Sequence, residues 1–310
     1  MRTVRCHAHG GPEVLQVEEV PTPSPGAGEL LVDVEAVGVT LPVVRLTREG
    51  VPLPHVPGGE IAGRIAAIGG DVTGWRVGQR VTALAFTGAY AESAVVPAAF
   101  ATAVPDDVPA EAAVVLVRSG QVALGTLQEG RLQPEETVLV TAAAGGVGHL
   151  AVQLARIRGA GRVVGAVGDA SKATAVRDLG ADEVVTYPEI AAEPTVDVVL
   201  DGVGGEAQAR CLDALAPWGR LVAYSGTGDV VDVNLLRLHA RTVVGFAMAH
   251  FARARPDAYR RNGDELWELY LAGRLRPVVH RALPLAEAAE AHRIVEGRAN
   301  VGKVVLRPDA

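Results

Sequence analysis

Residues 137–160, TVLVTAAAGGVGHLAVQLARIRGA, constrain the fold of this chain more than any other stretch. An apolar run, TVLVTA, passes through a turn holding Gly145, Gly146 and Gly148 into a helical pattern over 148–158. Glycines let the backbone turn tightly and approach a ligand closely, and the helix that follows offers unpaired N–H groups with a partial positive charge. That arrangement suits the pyrophosphate of a dinucleotide. Measured against G-x-G-x-x-G the first glycine is Ala143, so the bare pattern is degenerate and also matches a glycine-rich turn in an ordinary strand–helix–strand unit. The unbroken strand ahead of the turn and the helix behind it favour the dinucleotide reading.

The segments downstream repeat the theme. Short apolar runs, RVVGAV, EVVTY, VDVVLD, RLVAYS and RTVVGFA, alternate with helical patterns such as 171–179. Runs that are apolar throughout, rather than at every second residue, belong to strands buried on both faces, hence a parallel, doubly wound sheet. Residues 1 to about 117 have another character. Val-rich runs at 30–37, 61–68, 80–84 and 94–96 are separated by Gly/Pro clusters at 21–28 and 56–59, the spacing of a partly open barrel. After residue 250, helical patterns at 257–272 and 285–296 precede a last strand at 302–306. The expected fold class is α/β: a β-rich domain joined to a parallel sheet.

Composition narrows the function classes. Hydrophobic residues at 49% and charged ones at 21% place the chain among folded globular proteins. A net charge of -7 gives no general attraction for nucleic acid or anionic lipid, so the expected partner is a small-molecule substrate, with no nucleic acid and no membrane. The N-terminus has no apolar segment and no run of about 18 uninterrupted apolar residues occurs, which reads as a soluble, cytoplasmic protein. Cys6 and Cys211 stand far apart in unrelated contexts, and supply neither a disulfide framework nor the converging ligands of a zinc site. The expected chemistry is direct hydride transfer with no metal. His7, His9 and His55 have no second ligand or carboxylate partner close in sequence and read as structural or surface groups; Trp218 and Trp267 read as core.

The tip of the second parallel strand selects the dinucleotide. An NAD site usually ends this strand in Asp or Glu, which accepts from the ribose 2′-hydroxyl. Here RVVGAV ends at Val167-Gly168, and Lys172, one of only two lysines in the chain, follows four residues beyond the glycine. A 2′-phosphate would find room over Gly168 and a cation in Lys172, so the expected cofactor is NADPH. Asp169 lies between them: turned inward it repels a phosphate, and turned along the chain it caps the helix starting at Ser171.

The ordered set GPEVL, VPGGEIAGRIAAIGGDVTGWRVGQRV, GAYAESAVVP, VLVTAAAGGVGHLAVQLAR, LGADEVVTY, DVVLDGVGG and GRANVGKVVL resembles the zinc-free quinone oxidoreductase (zeta-crystallin-like) branch of the medium-chain dehydrogenase/reductase superfamily, over essentially the whole chain. The resemblance implies a GroES-like catalytic domain over 1–117 and 251–310, an NADP-binding Rossmann domain over 118–250, and a cleft where they meet. Zinc-bearing members carry a Cys in the segment matching AVGVT and a GHE motif matching Gly58-Gly59-Glu60; here Thr40 and Gly59 stand at those positions. Carried over, the cofactor contacts fall on Ala144, Gly145, Gly146, Val147 and Gly148 for the pyrophosphate and on Gly168 and Lys172 for the 2′-phosphate. Tyr187 would lie beside the adenosine, Gly202, Val203, Gly204, Ser225 and Gly226 near the ribose, and Phe246, Ala247 and Met248 near the nicotinamide. Relatives also pair the Val-rich strand around 242–247 across a two-fold axis, so a homodimer is expected.

The departures from the family pattern fall where a substrate would lie. Quinone reductases of this branch read VNxxDxYxRSG, and this chain reads VTLPVVRLTREG, with Thr40 for Asn, Val43 for Asp and Arg45 for Tyr; Gln121 replaces a usual Thr. Thr40, Arg45 and Gln121 are the candidate substrate-contacting residues. Thr40 can donate to a ribose or substrate oxygen, and Arg45 can grip a carbonyl or acidic group as enolate charge develops. Each has an ordinary reading too, Thr40 as a strand-end threonine and Arg45 as a solvated arginine, while Tyr90 reads as barrel packing. The expected activity is hydride transfer from NADPH to a quinone or an α,β-unsaturated carbonyl acceptor. The alternatives are a narrow-substrate enoyl reductase of a biosynthetic pathway and a non-catalytic NADPH-binding protein on the same scaffold.

Overall fold

A two-stranded antiparallel ribbon, β1 (Arg2–Arg5) and β2 (Gln16–Glu19), leads into β3 (Glu29–Val39), the longest strand. The computed structural model describes residues 1–190, 195–226 and 230–308, and divides into two units, Met1–Arg118 with Pro277–Ala310, and Ser119–Arg276. In the first unit, helix α1 (Leu41–Arg48) follows β3, and then come β4 (Gly59–Ile68), β5 (Arg80–Ala85), β6 (Ser93–Pro97), β7 (Ala101–Ala103) and helix α2 (Ala110–Val115). The expected partly open barrel is present: β3 pairs antiparallel with β4 along its length and with β6 at its N-terminal end. Its interior is filled by Leu30, Val32, Val37, Ile61, Ile65 and Tyr90, as branched and aromatic residues on alternate pleat positions require.

The chain enters the second unit inside a helical run, Ala110–Glu129, whose middle turn Leu116–Gly120 is π-helical. This run has the length and composition to cross a membrane, but 89% of its most apolar window is buried, as in a core helix. Its last part is α3 (Gln121–Glu129). There follow β8 (Thr137–Val140), α4 (Gly148–Ile157), β9 (Arg162–Val167), α5 (Ala173–Asp178), β10 (Glu183–Thr186), β11 (Val196–Asp201), α6 (Gly205–Ala214), β12 (Leu215–Ala223), α7 (Val233–Leu238) and β13 (Thr242–Gly245). The sheet is entirely parallel, in the order β10-β9-β8-β11-β12-β13. That is a doubly wound sheet whose order reverses between β8 and β11, and ligands of such sheets bind outside the carboxyl ends of the strands at that point.

Two expectations need correction. Residues 251–276 do not belong with the first unit. Helices α8 (Met248–Ala254) and α9 (Pro256–Leu271) pack on each other and on α3, because α9 turns Tyr259, Gly263, Leu266 and Trp267 onto it. A reciprocal amide pair, Gln128 with Asn262 at 2.9 and 3.1 Å, locks the contact, so the return to the first unit falls at Pro277. There β14 (Val279–Pro284), α10 (Ala288–Glu296) and β15 (Lys303–Arg307) complete the barrel, β15 pairing with both β14 and β3. Second, Trp218 is 78% exposed rather than core: the β11–β12 register slips between Val196 and Val198, and Trp218 bulges outward at φ +68. His7 is exposed, in keeping with a surface group, and meets the Glu18 carboxylate from 11 residues away. Trp267 and Tyr90 are buried, as expected.

Candidate functional site

In the second unit the glycine turn stands at the carboxyl end of β8. Ala142 opens it at φ +47, Gly145 N–H donates to the Ala142 carbonyl at 2.7 Å, and α4 begins at Gly148. A Cβ on Gly148 would run into the Ala142 carbonyl, so only glycine lets the helix start this close to the strand. Val147 caps α4 with no side-chain bond, and the N–H groups of Gly146, Val147 and Gly148 precede the first intrahelical bonds. Ala144, at 4% exposure, packs beneath the turn. His149, which was not singled out from the sequence, folds its Nδ1 onto the Gly145 carbonyl at 2.9 Å and braces the turn.

At the tip of β9 the sequence question about Asp169 has an answer. Its carboxylate accepts from the Ser171 N–H at 2.8 Å and caps the short 3-10 turn Ala170–Lys172. The Ser171 N–H and hydroxyl, with Lys172 adding its charge, hold this carboxyl below its usual range, so it is anionic and committed to the cap. The Tyr187 ring lies 3.4 Å from where a Cβ on Gly168 would stand, bringing those two residues together. Lys172, in the same turn, is half-buried.

The third part of this site follows β11. Gly202, Val203 and Gly204 form a loop that abuts Gly226: a Cβ on Gly226, whose φ is +126, would come within 2.7 Å of the Val203 carbonyl. Tyr224 packs over Gly202; burial and the nearby Asp201 carboxylate push its phenol well up, so it stays protonated. Ser225 and Gly226 are exposed. Phe246 and Met248 are each 7% exposed, and the Phe246 ring sits against Gly125 of α3, so only Ala247 and the backbone of 246–248 are open to a ligand.

The first unit carries the other candidates. Thr40 is the N-cap of α1 at 8% exposure, and its Oγ1 has no hydrogen-bond partner among the described residues. An orphaned buried hydroxyl is costly, so it marks a place where a ligand oxygen would be stabilised. Arg45 is exposed on α1 and makes no ion pair among the described residues, while Val43 is buried in the barrel. Gln121, in the second unit, is fully buried: its Nε2 donates to the Tyr259 carbonyl at 2.7 Å, so it ties α3 to α9. Among the described residues no group of three or more His, Cys, Asp or Glu side chains could hold a metal ion, and Cys6 and Cys211 are both buried, so the residues present do not fit zinc.

A glycine turn at the switch point of a parallel sheet in one unit, and a β-barrel in the other, are the parts of a two-unit nucleotide-dependent oxidoreductase scaffold. Family models agree: an alcohol dehydrogenase GroES-like domain matches residues 26–106, and a zinc-binding dehydrogenase domain matches 179–306. A 2-haloacrylate reductase from Burkholderia sp is 34% identical, covering 98% of both chains, and a quinone oxidoreductase from Pseudomonas aeruginosa is 32% identical, covering 99% of both. A mycobacterial protein solved in complex with NADPH superposes with a TM-score of 0.92 at 34% identity, over 99% of this chain and 100% of that one. The chain belongs to the quinone oxidoreductase branch of the medium-chain dehydrogenase/reductase superfamily.

Proposed function

We propose that the chain is an NADPH-dependent reductase of quinones or of carbon–carbon double bonds conjugated to a carbonyl. The observation that carries this reading is the switch point of the parallel sheet, where the glycine turn after β8 opens beside the 202–204 loop after β11. The structural relative bound to NADPH supports it. The N–H groups of Gly146, Val147 and Gly148 would take the pyrophosphate, with Ala144 and Gly145 shaping the turn. Lys172 over Gly168 would take the 2′-phosphate, and Tyr187 would flank the adenosine. Ribose contacts would come from Gly202, Val203, Gly204, Ser225 and Gly226, and the backbone of Phe246, Ala247 and Met248 would face the nicotinamide. When bound, NADPH supplies a hydride, two electrons and one proton's worth of hydrogen.

A hydride added to the carbon β to the carbonyl would push the double-bond electron pair onto the carbonyl oxygen. Thr40, whose hydroxyl has no hydrogen-bond partner among the described residues, would donate to this oxygen as it becomes an enolate, and solvent would then protonate the α-carbon. Gln121 donates through Nε2 to the Tyr259 carbonyl, while its buried Oε1 has no hydrogen-bond partner among the described residues. A second reading is favoured by Arg45: an exposed arginine on the helix that Thr40 caps suits an unsaturated acid, the class named by the Burkholderia relative.

The test is consumption of NADPH with a panel of quinones, enones, enoyl thioesters and unsaturated acids. Turnover is expected with at least one conjugated acceptor, and Thr40→Val should lower its kcat/KM by about ten- to a thousandfold with unchanged NADPH affinity. Arg45→Ala should bring a comparable loss only for acidic acceptors. No turnover across the panel, or an unaltered kcat/KM in Thr40→Val, would overturn the reading.

A further inference from the structure

Asp201, the last residue of β11, is fully buried. Its oxygens are enclosed by donors. Oδ1 accepts from Thr141 Oγ1 at 2.9 Å and from the Val203 N–H at 3.0 Å; Oδ2 accepts from the Gly204 N–H at 3.2 Å and from Gln208 Nε2 at 2.9 Å. Thr141 Oγ1 in turn accepts from the Gly202 N–H at 2.8 Å. Three successive backbone N–H groups are thus gathered inward by one carboxylate and the hydroxyl it orients. In a trans peptide the carbonyl points opposite to the N–H of the next residue, so the Gly202 and Val203 carbonyls are turned away from Asp201. Gly226, having no Cβ, comes up against the Val203 carbonyl, and Gly202 and Val203 stay partly exposed.

We infer that Asp201 is a positioning residue: it turns the 202–204 loop into an edge of outward carbonyls that takes the hydroxyl and carboxamide donors of the ribose–nicotinamide half of the cofactor. The neighbouring glycine turn presents N–H groups and suits phosphate; this loop presents the opposite polarity and suits donors. The inference rests on the NADPH reading above, and the two can fail separately. In Asp201→Asn one acceptor becomes an NH₂ facing the Gln208 NH₂ or the loop N–H groups, so the inward set breaks up.

The experiment is titration of wild type, Asp201→Asn and Asp201→Asn with Gln208→Glu against NADPH and against 2′,5′-ADP, which has the adenosine and its phosphates but no nicotinamide half. The single variant should bind NADPH about tenfold or more weakly while 2′,5′-ADP changes by less than about twofold; the double variant, which restores an acceptor opposite the new NH₂, should recover part of the loss. Should Asp201→Asn fail to fold, Thr141→Val, which removes the acceptor of the Gly202 N–H, should show the same selective loss. Unchanged NADPH affinity in the folded variants, or equal loss of both ligands, would overturn the positioning role. Wild type binding NADH but not 2′,5′-ADP would instead sink the 2′-phosphate reading, and the Asp201 role is then judged by the same comparison of NADH with ADP.

Discussion

Lys172 and Asp169 share one short turn and act in opposite senses on a phosphate. The structure commits the Asp169 carboxylate to Ser171, which leaves the turn's cation to set the preference. Lys172→Ala should therefore weaken NADPH binding by about ten- to a hundredfold, the worth of one charge-assisted contact of roughly 1.5–3 kcal/mol, and leave NADH almost unchanged. Titration of both cofactors checks this; equal effects on the two would remove Lys172 from the 2′-phosphate. The chain's other lysine turns out to serve the fold. Lys303 Nζ lies 2.6 Å from Glu60 Oε2, Arg118 donates to the other oxygen at 3.2 Å, and Gly38 leaves the space, since a Cβ there would meet Glu60 at 2.7 Å. Removing one partner of a buried pair strands the other, so Lys303→Ala should lower unfolding stability by about 3–5 kcal/mol. Urea melts would show it, and a loss under about 1 kcal/mol would mean that the cavity hydrates and the pair counts for little. Rarity alone made both lysines conspicuous in the sequence; only the folded neighbourhood distinguishes the half-buried Lys172 from the enclosed Lys303.

At the scale of elements, the parallel strands were legible because burial on both faces leaves unbroken apolar runs; RVVGAV and VDVVLD coincide with β9 and β11. Helix α1 was not legible: it is eight residues long, begins with Leu41-Pro42, and starts straight from the end of a Val-rich strand. Strand β14, VHRALP, has exposed His280 and Arg281 and no alternation to reveal it. Nor could a local pattern show that Asp201 and Thr141 together gather the N–H groups of 202–204, because the two lie on separate elements. Helix α10 shows what such long-range pairing does. Ala288, Ala291, His292 and Val295 form its buried stripe, and His292 Nε2 meets the Tyr90 hydroxyl at 3.0 Å. Burial holds His292 down at about 4 against an ordinary 6.5. The unfolded chain then binds the extra proton between these values, so stability is full above about pH 6.5 and falls as pH drops toward 4, by about 3 kcal/mol at most. His55, also lowered by burial, adds in the same direction, whereas the depressed carboxylates act only below their ordinary 4.5. Urea midpoints between pH 7 and 4.5 should fall in wild type and flatten in His292→Gln; parallel slopes would assign the fall to other groups.

At the scale of the whole molecule, the sheet of the second unit ends in two edge strands, β10 and β13. β13 pairs with β12 on one side, and among the described residues no strand pairs its other side. Such an edge invites pairing with another chain. Near it stand large apolar side chains in water: Trp218 at 78% exposure on the β12 bulge, whose backbone N–H donates to the His239 carbonyl, and Val233, Leu235 and Leu238 of α7 at 74%, 52% and 58%. Clustered exposed apolar residues beside an open edge mark an association surface. A two-fold axis through β13 would pair that strand with its own copy, and each favourable contact would then occur twice. We therefore expect a homodimer at micromolar concentration, with the amides of Thr242–Gly245 protected from hydrogen exchange in the dimer and exchanging faster on dilution. Trp218→Lys, which removes nothing from the core, should shift the equilibrium toward monomer while leaving NADPH binding intact, because none of the residues assigned to the cofactor lies in the bulge. Light scattering that shows wild type as a monomer at these concentrations, or β13 amides that exchange at the same rate on dilution, would contradict the assignment of this edge.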